Sequence, residues 1–145
     1  MLALEETLSG YLPDVVLRRL ARASSFPTAP ALERFPAAVL FADISGFTRL
    51  TEHFAQQGAC GAEQVSAHLN AYFEQLIDSI AGHGGDVVKF AGDALVSVFS
   101  AEALGEPLAV CARRATQCGL AIQDRLRDYE LEGVRLKLRI GVGVG

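Results

Sequence analysis

Val39-Leu40-Phe41-Ala42-Asp43-Ile44-Ser45-Gly46-Phe47-Thr48 is the stretch on which the rest of the chain turns. Val39 to Phe41 is apolar on both faces and reads as a buried strand. Asp43 arrives at the end of that run. Ser45 or Gly46 then opens a helix, with Phe47, Leu50 and Phe54 along one side at helical spacing. A helix N-terminus at a strand's end presents unpaired N–H groups and a positive dipole, which suits phosphate. Asp43 beside such a site repels phosphate unless a cation lies between them, so the stretch points to a metal-bound nucleotide. Taken alone, the same aspartate also reads as a turn or N-cap residue.

A second acidic turn lies downstream. Asp86-Val87-Val88-Lys89-Phe90-Ala91-Gly92-Asp93-Ala94-Leu95-Val96-Ser97-Val98-Phe99 reads as a hairpin turning at Ala91-Gly92-Asp93. Gly92 permits the positive φ of a tight turn. If the hairpin lies beside the first strand, Asp43 and Asp93 share one edge of the sheet. Two carboxylates with triphosphate oxygens form a hard, all-oxygen site for Mg²⁺ or Mn²⁺. A pair of such ions about 3.5–4 Å apart serves an in-line displacement at phosphorus.

Phe41 to Thr48, paired with Val88-Lys89-Phe90-Ala91-Gly92-Asp93-Ala94-Leu95, resembles the class III adenylyl and guanylyl cyclases. The likeness is closest to the first cyclase homology domain of soluble, bicarbonate-responsive adenylyl cyclases. Tyr11-Leu12-Pro13-Asp14-Val15-Val16 resembles the segment before the first strand in that subgroup. The resemblance implies a lyase of cyclic AMP biosynthesis and signal transduction, binding ATP and acting as a dimer of cyclase domains. It implies two Mg²⁺ or Mn²⁺ ions at Asp43 and Asp93, with Ile44 as a further metal contact. Ile44, Ser45, Gly46, Phe47 and Thr48 match the turn that cradles phosphate.

Lys89 matches a base-reading lysine of adenylyl cyclases. Lysine donates to adenine N1 but not to the protonated N1 of guanine, which favours ATP. In the first domain of the soluble subgroup the same lysine lies in the regulatory pocket where bicarbonate acts. Both roles stay open for Lys89, as does that of a lysine on an exposed strand face. A non-catalytic nucleotide- or bicarbonate-sensing domain is accordingly the alternative function. The family continues beyond the strand that reaches Gly145, so the resemblance also implies a domain incomplete at its C-terminus and inactive as an isolated fragment.

At 145 residues, half of them hydrophobic, the chain suits one globular domain. Seventeen acidic against 13 basic residues give no encouragement to nucleic-acid or anionic-membrane binding. No apolar run approaches the roughly 18 residues of a membrane span, and no secretion signal opens the chain. The expected setting is cytoplasmic. Cys60, Cys111 and Cys118 form no CxxC pair, and His53, His68 and His83 show no ligand spacing, which speaks against zinc.

Residues 1–36 read as a helical lead and linker, and 37–145 as the cyclase portion. Pro13 and Asp14 start a short helix whose Arg18, Arg19 and Arg22 form a solvated side, with a phosphate role as the other option. The first-motif helix stops at Gly58. A long amphipathic helix from about Ala62 to Ala81 carries Val65, Leu69, Phe73, Leu76, Ile77 and Ile80 inward. Gly82-His83-Gly84-Gly85 follows a helix and precedes a strand, the reverse of a phosphate loop, and reads as connection. Pro107 begins a third helix, in which Gly119 allows close packing. Val134 to Ile140 alternates strictly as one strand; Gly141 and Gly143 extend it, leaving room for close approach. Its basic side meets solvent or a partner, or attracts polyphosphate. The order strand, two helices, hairpin, helix, strand predicts an α+β sandwich, ferredoxin-like, with helices on one sheet face.

Overall fold

The computed structural model describes residues 10, 12–23, 28–55, 59–127 and 129–145, with backbone alone for Phe47, Ala59, Cys60 and Ala62. A short helix α1 (Asp14–Arg22) precedes β1 (Ala37–Ser45), α2 (Phe47–Ala55), α3 (Ala59–Gly82) and the hairpin β2 (Asp86–Ala91) and β3 (Ala94–Ser100). There follow α4 (Ala101–Leu104), α5 (Leu108–Leu126), the two-residue strands β4 (Glu130–Leu131) and β5 (Val134–Arg135), and β6 (Lys137–Val144). Four strands form an antiparallel sheet in the order β2-β3-β1-β6. This is the α+β plan that the sequence predicts.

Alternation along β1 divides the sheet into two unlike faces. Ala38, Leu40, Ala42 and Ile44 are buried, against Tyr72, Leu76 and Ile80 of α3 and Cys111, Ala115, Cys118 and Ile122 of α5. Val39 and Phe41 point the other way and are 37% and 44% exposed. The expectation that Val39–Phe41 is buried on both faces therefore fails. Helices α3 and α5 cover the first face, and on the other Val39 and Phe41 stand open. Ile77 is likewise exposed rather than inward, because it lies at the rim of α3 beside the outer strand β2.

Glycines fit the helices to the sheet. A methyl at Gly119 would come within 3.2 Å of Ile140, so its absence lets α5 lie close to β6. One at Gly85 would meet the Phe99 ring at 2.6 Å and Ile80 at 2.7 Å, so this glycine is required where α3 hands over to β2.

Val134 to Ile140 is not one strand. Val134 and Arg135 pair with Leu131 and Glu130 across Glu132 and Gly133, both at positive φ. Leu136 then buries its side chain and donates its N–H to the Tyr129 carbonyl at 3.1 Å, and only from Lys137 does the chain join the large sheet. Alternation alone does not reveal that change of partner. The short α4 was also not predicted; Ser100 Oγ caps it by accepting from the Ala103 N–H, and Gly105 closes it in the left-handed region. Readings on residues 1–9, on Gly58 and on the side chains of Phe47 and Cys60 fall outside the described residues.

Tyr72 is the one buried side chain among the described residues whose polar atom lacks a partner. Its ring packs edge-on against Tyr129 with centroids 4.8 Å apart, and burial pushes its hydroxyl up to about 12. An unpaired buried hydroxyl costs about 1–3 kcal/mol of desolvation, which Tyr72→Phe removes while keeping the ring. Thermal unfolding of Tyr72→Phe is expected to shift upward by a few degrees, on the order of 1 kcal/mol of added stability. A lower melting temperature would mean that the hydroxyl has a bound-water partner.

Candidate active site

β1 delivers Asp43 to the end of the sheet on its open face, level with Ala94 of β3 on one side and Arg139 of β6 on the other. Two residues on, Ser45 Oγ donates to the Lys137 carbonyl at 3.3 Å. Gly46 then takes φ +104°, where a Cβ would lie 3.0 Å from the Arg135 carbonyl oxygen. Only glycine makes this turn freely. The Leu50 N–H returns to the Gly46 carbonyl at 3.1 Å, closing the first turn of α2. The N–H groups just before it have no intrahelical partner and carry the positive end of the helix dipole. Gly46→Ala is expected to cost about 1–3 kcal/mol, because it imposes both a forbidden backbone angle and a clash with a carbonyl. Urea unfolding reads that loss directly.

The hairpin turn sits against the same end. Gly92 lies at φ +68°, Ala91 pairs with Ala94, and Asp93 between them is half-buried. The Asp93 carbonyl accepts the Ile44 N–H at 3.2 Å, which stitches the turn to the strand that carries Asp43. Among the described residues neither Asp43 nor Asp93 joins an ion pair or a side-chain hydrogen bond. Two carboxylates free of protein partners, beside unpaired N–H groups, suit a hard divalent ion bound together with phosphate oxygens. No three His, Cys, Asp or Glu side chains converge among the described residues, so protein carboxylates alone would not complete such an ion's shell.

Two cations share the open face. Lys89 pairs with Val96, which in turn pairs with Phe41, so Lys89 lies two strands out from β1. Arg139 stands directly across from Asp43 without forming an ion pair to it. Sequence reasoning grouped Arg135, Lys137 and Arg139 as one basic side and did not single out Arg139. The structure divides them: Arg135 belongs to the small hairpin and pairs with Glu130 at 3.7 Å, while Lys137 and Arg139 stay with the sheet. Beyond Arg139, Gly141 lies opposite the exposed Phe41 with open space where a side chain would be.

Other candidates resolve differently. The N–H groups of His83, Gly84 and Gly85 are all spent on carbonyls of α3, so the glycine cluster is a connection. Arg19 pairs with Glu33 at 3.6 Å, and Arg22 pairs with Glu102. Cys111 and Cys118 are buried free thiols, and burial pushes Cys118 up to about 11. One feature was missed entirely. Asp86, at the start of β2, accepts the N–H groups of Asp14 and Val15 at 3.1 and 2.9 Å.

The sequence model of the "Adenylate and Guanylate cyclase catalytic domain" matches residues 32–145. The chain belongs to this cyclase family. It is 32% identical to rat "Adenylate cyclase type 10" over 141 residues, 95% of this chain but only 8% of that protein. It is 28% identical to "Adenylate cyclase 1" of Rhizobium meliloti over 125 residues, 85% of this chain and 17% of the relative. The cyclase domain thus spans a small part of either relative. A bacterial light-regulated adenylyl cyclase shares the fold, with a TM-score of 0.69 over 97% of this chain and 39% of its own, at 24% identity. The guanylyl cyclase Cya2 superposes with a TM-score of 0.61 over 78% of this chain and 55% of its own, at 31% identity. Adenylyl and guanylyl cyclases both stand among the neighbours. No helix among the described residues is long and apolar enough to cross a membrane.

Proposed function

We propose that this cyclase domain is an adenylyl cyclase module, converting ATP to cyclic AMP and pyrophosphate when completed and paired with a second cyclase domain. The observation that carries this reading is the junction of β1 with the hairpin, where the Ile44 N–H bonds the Asp93 carbonyl and brings Asp43 and Asp93 to one end of the sheet. Asp43 and Asp93 would hold two Mg²⁺ or Mn²⁺ ions, with Ile44 beside them. Those ions, when bound, supply charge neutralisation and activation of the ribose 3′-hydroxyl.

The chain's own groups then orient and hold. The turn from Ser45 to Thr48 offers its N–H groups to the β- and γ-phosphates, while the Ile44 N–H is held by the Asp93 carbonyl. Arg139, level with Asp43, adds positive charge on the side away from the hairpin. When two such domains pair, Lys89 of one faces the metal aspartates of the other and favours adenine through a hydrogen bond to N1. Phosphoryl transfer needs positioning and charge more than a protein nucleophile, and none is assigned here. The proposed setting is the cytoplasm, where ATP and Mg²⁺ are both present.

Lys89 supports a second reading as well. With 95% of the chain similar to adenylate cyclase type 10, Lys89 could belong to a regulatory pocket and take a small anion such as bicarbonate. Lys89 would then serve the regulator rather than the substrate; a wholly non-catalytic sensing domain is the further alternative. A radiolabelled ATP-to-cyclic-AMP assay of the full-length gene product, with Mg²⁺ and with Mn²⁺, decides for the catalytic reading. Absence of product with either metal would remove it.

A further inference from the structure

Helix α1 is attached to the domain in an unusual way. None of its nine residues is buried. Beneath it lies a cavity of about 650 Å³, walled by Val15 and Arg18 of α1 and by Val98, Ser100 and Leu104 below. Val15, Leu17 and Leu20 are half-buried, so the helix is only partly packed against the domain. It is held at its two ends, by Asp86 on the Asp14 and Val15 N–H groups and by the Arg22–Glu102 ion pair. A third, looser contact joins Arg19 to Glu33 of the linker. Exposed ion pairs contribute little, about 0–1 kcal/mol each. A carboxylate on the first free N–H groups of a helix contributes more, and Pro13 at the N-cap has no side-chain oxygen to do so.

The carboxylate in question belongs to a strand with a fault in it. Asp86 pairs with Val98 and Val87 with Ser97, but the next matched residue is Lys89, opposite Val96, so Val88 is an extra residue. Where that bulge sits decides which face Lys89 meets, because a slip of one residue turns each side chain over. The strand is at the edge of the sheet, with no second neighbour to fix its register.

We propose that Asp86 is a positioning residue: by capping α1 it anchors the start of β2, pins the bulge at Val88, and so keeps Lys89 on the open face. Helix α1 acts as a strap across that cavity, and its docking sets how well the site holds its nucleotide. The kinetic part of this inference rests on the nucleotide-facing role of Lys89; the structural part does not.

Amide hydrogen exchange on the full-length protein tests it, with Asp86→Ala, Asp86→Asn and Arg22→Ala. Asp86→Ala should speed exchange of α1 by about fivefold, the effect of losing a helix cap, and speed exchange of residues 86–91 with it. Arg22→Ala releases the far end of α1 without touching β2, and should raise exchange of residues 86–91 in the same direction. Asp86→Asn keeps an acceptor and should fall between wild type and alanine. In turnover, Asp86→Ala should raise KM for ATP roughly threefold to tenfold, and Arg22→Ala in the same direction by no more than about fivefold, while kcat changes by less than about twofold. Loosening of α1 with residues 86–91 unchanged in Arg22→Ala would overturn the proposal, as would an α1 that does not loosen in Asp86→Ala. A wild-type protein that makes no cyclic AMP counts against the cyclase reading, while the exchange results still decide this one.

Discussion

Replacing Asp43 or Asp93 with asparagine in the full-length protein is expected to lower cyclic AMP formation by at least about a thousandfold, several kcal/mol of barrier. Each exchange removes one negative charge from a site with two, and asparagine cannot restore the field that draws a divalent ion. The fold should survive both. Asp43 has no ion pair or side-chain hydrogen bond to lose, and Asp93 ties its turn to β1 through a backbone carbonyl that asparagine retains. Melting temperatures within a few degrees of wild type should therefore accompany the loss of turnover. Unchanged turnover in either variant would make that aspartate a turn residue and nothing more.

Lys89→Glu is the second large effect. If Lys89 reads adenine, its loss should raise KM for ATP by about tenfold to a hundredfold, the weight of a hydrogen bond with a charged partner. The new carboxylate accepts a hydrogen bond from guanine N1–H, so GTP use should appear as ATP use falls. Competition between the two nucleotides in one assay measures both changes together. Intact turnover of ATP with a lost response to bicarbonate would instead place Lys89 in a regulatory pocket. The geometry allows the distinction to be clean, since Lys89 is exposed on its strand and has no ion pair among the described residues to confuse the result.

Local chemistry was legible in the sequence, and long-range register was not. Gly92 and Asp93 mark a hairpin because a positive φ and a turn-forming side chain are properties of neighbouring residues. The turn at Gly46 and the helix after it are local in the same sense. Whether a strand is covered on one face or two is a different kind of question. Val39 and Phe41 are apolar, and periodicity cannot tell that no helix lies over them. Arg139 became visible as a neighbour of Asp43 only when β6 was set against β1, 96 positions apart in chain order. The cap from Asp86 to α1 spans 72 residues, and its only trace in the sequence is a proline where a capping side chain is usual. The break at Leu136 was hidden because both halves obey the same alternation.

The two carboxylates stand on supports of unequal depth. Asp43 is in a strand flanked on both sides, whereas Asp93 is in the turn of a hairpin whose outer strand has a neighbour on one side only. Fraying of the outer strand thus requires less than global unfolding, and if the two aspartates hold the metal as proposed, it disturbs one ligand while the other stays in place. On gentle warming or in dilute denaturant, the proposed turnover should then be lost while the helices are still intact. With Asp93 as a metal ligand, its working range would then be set by the fraying of the six residues of β2 at the rim and not by the stability of the core.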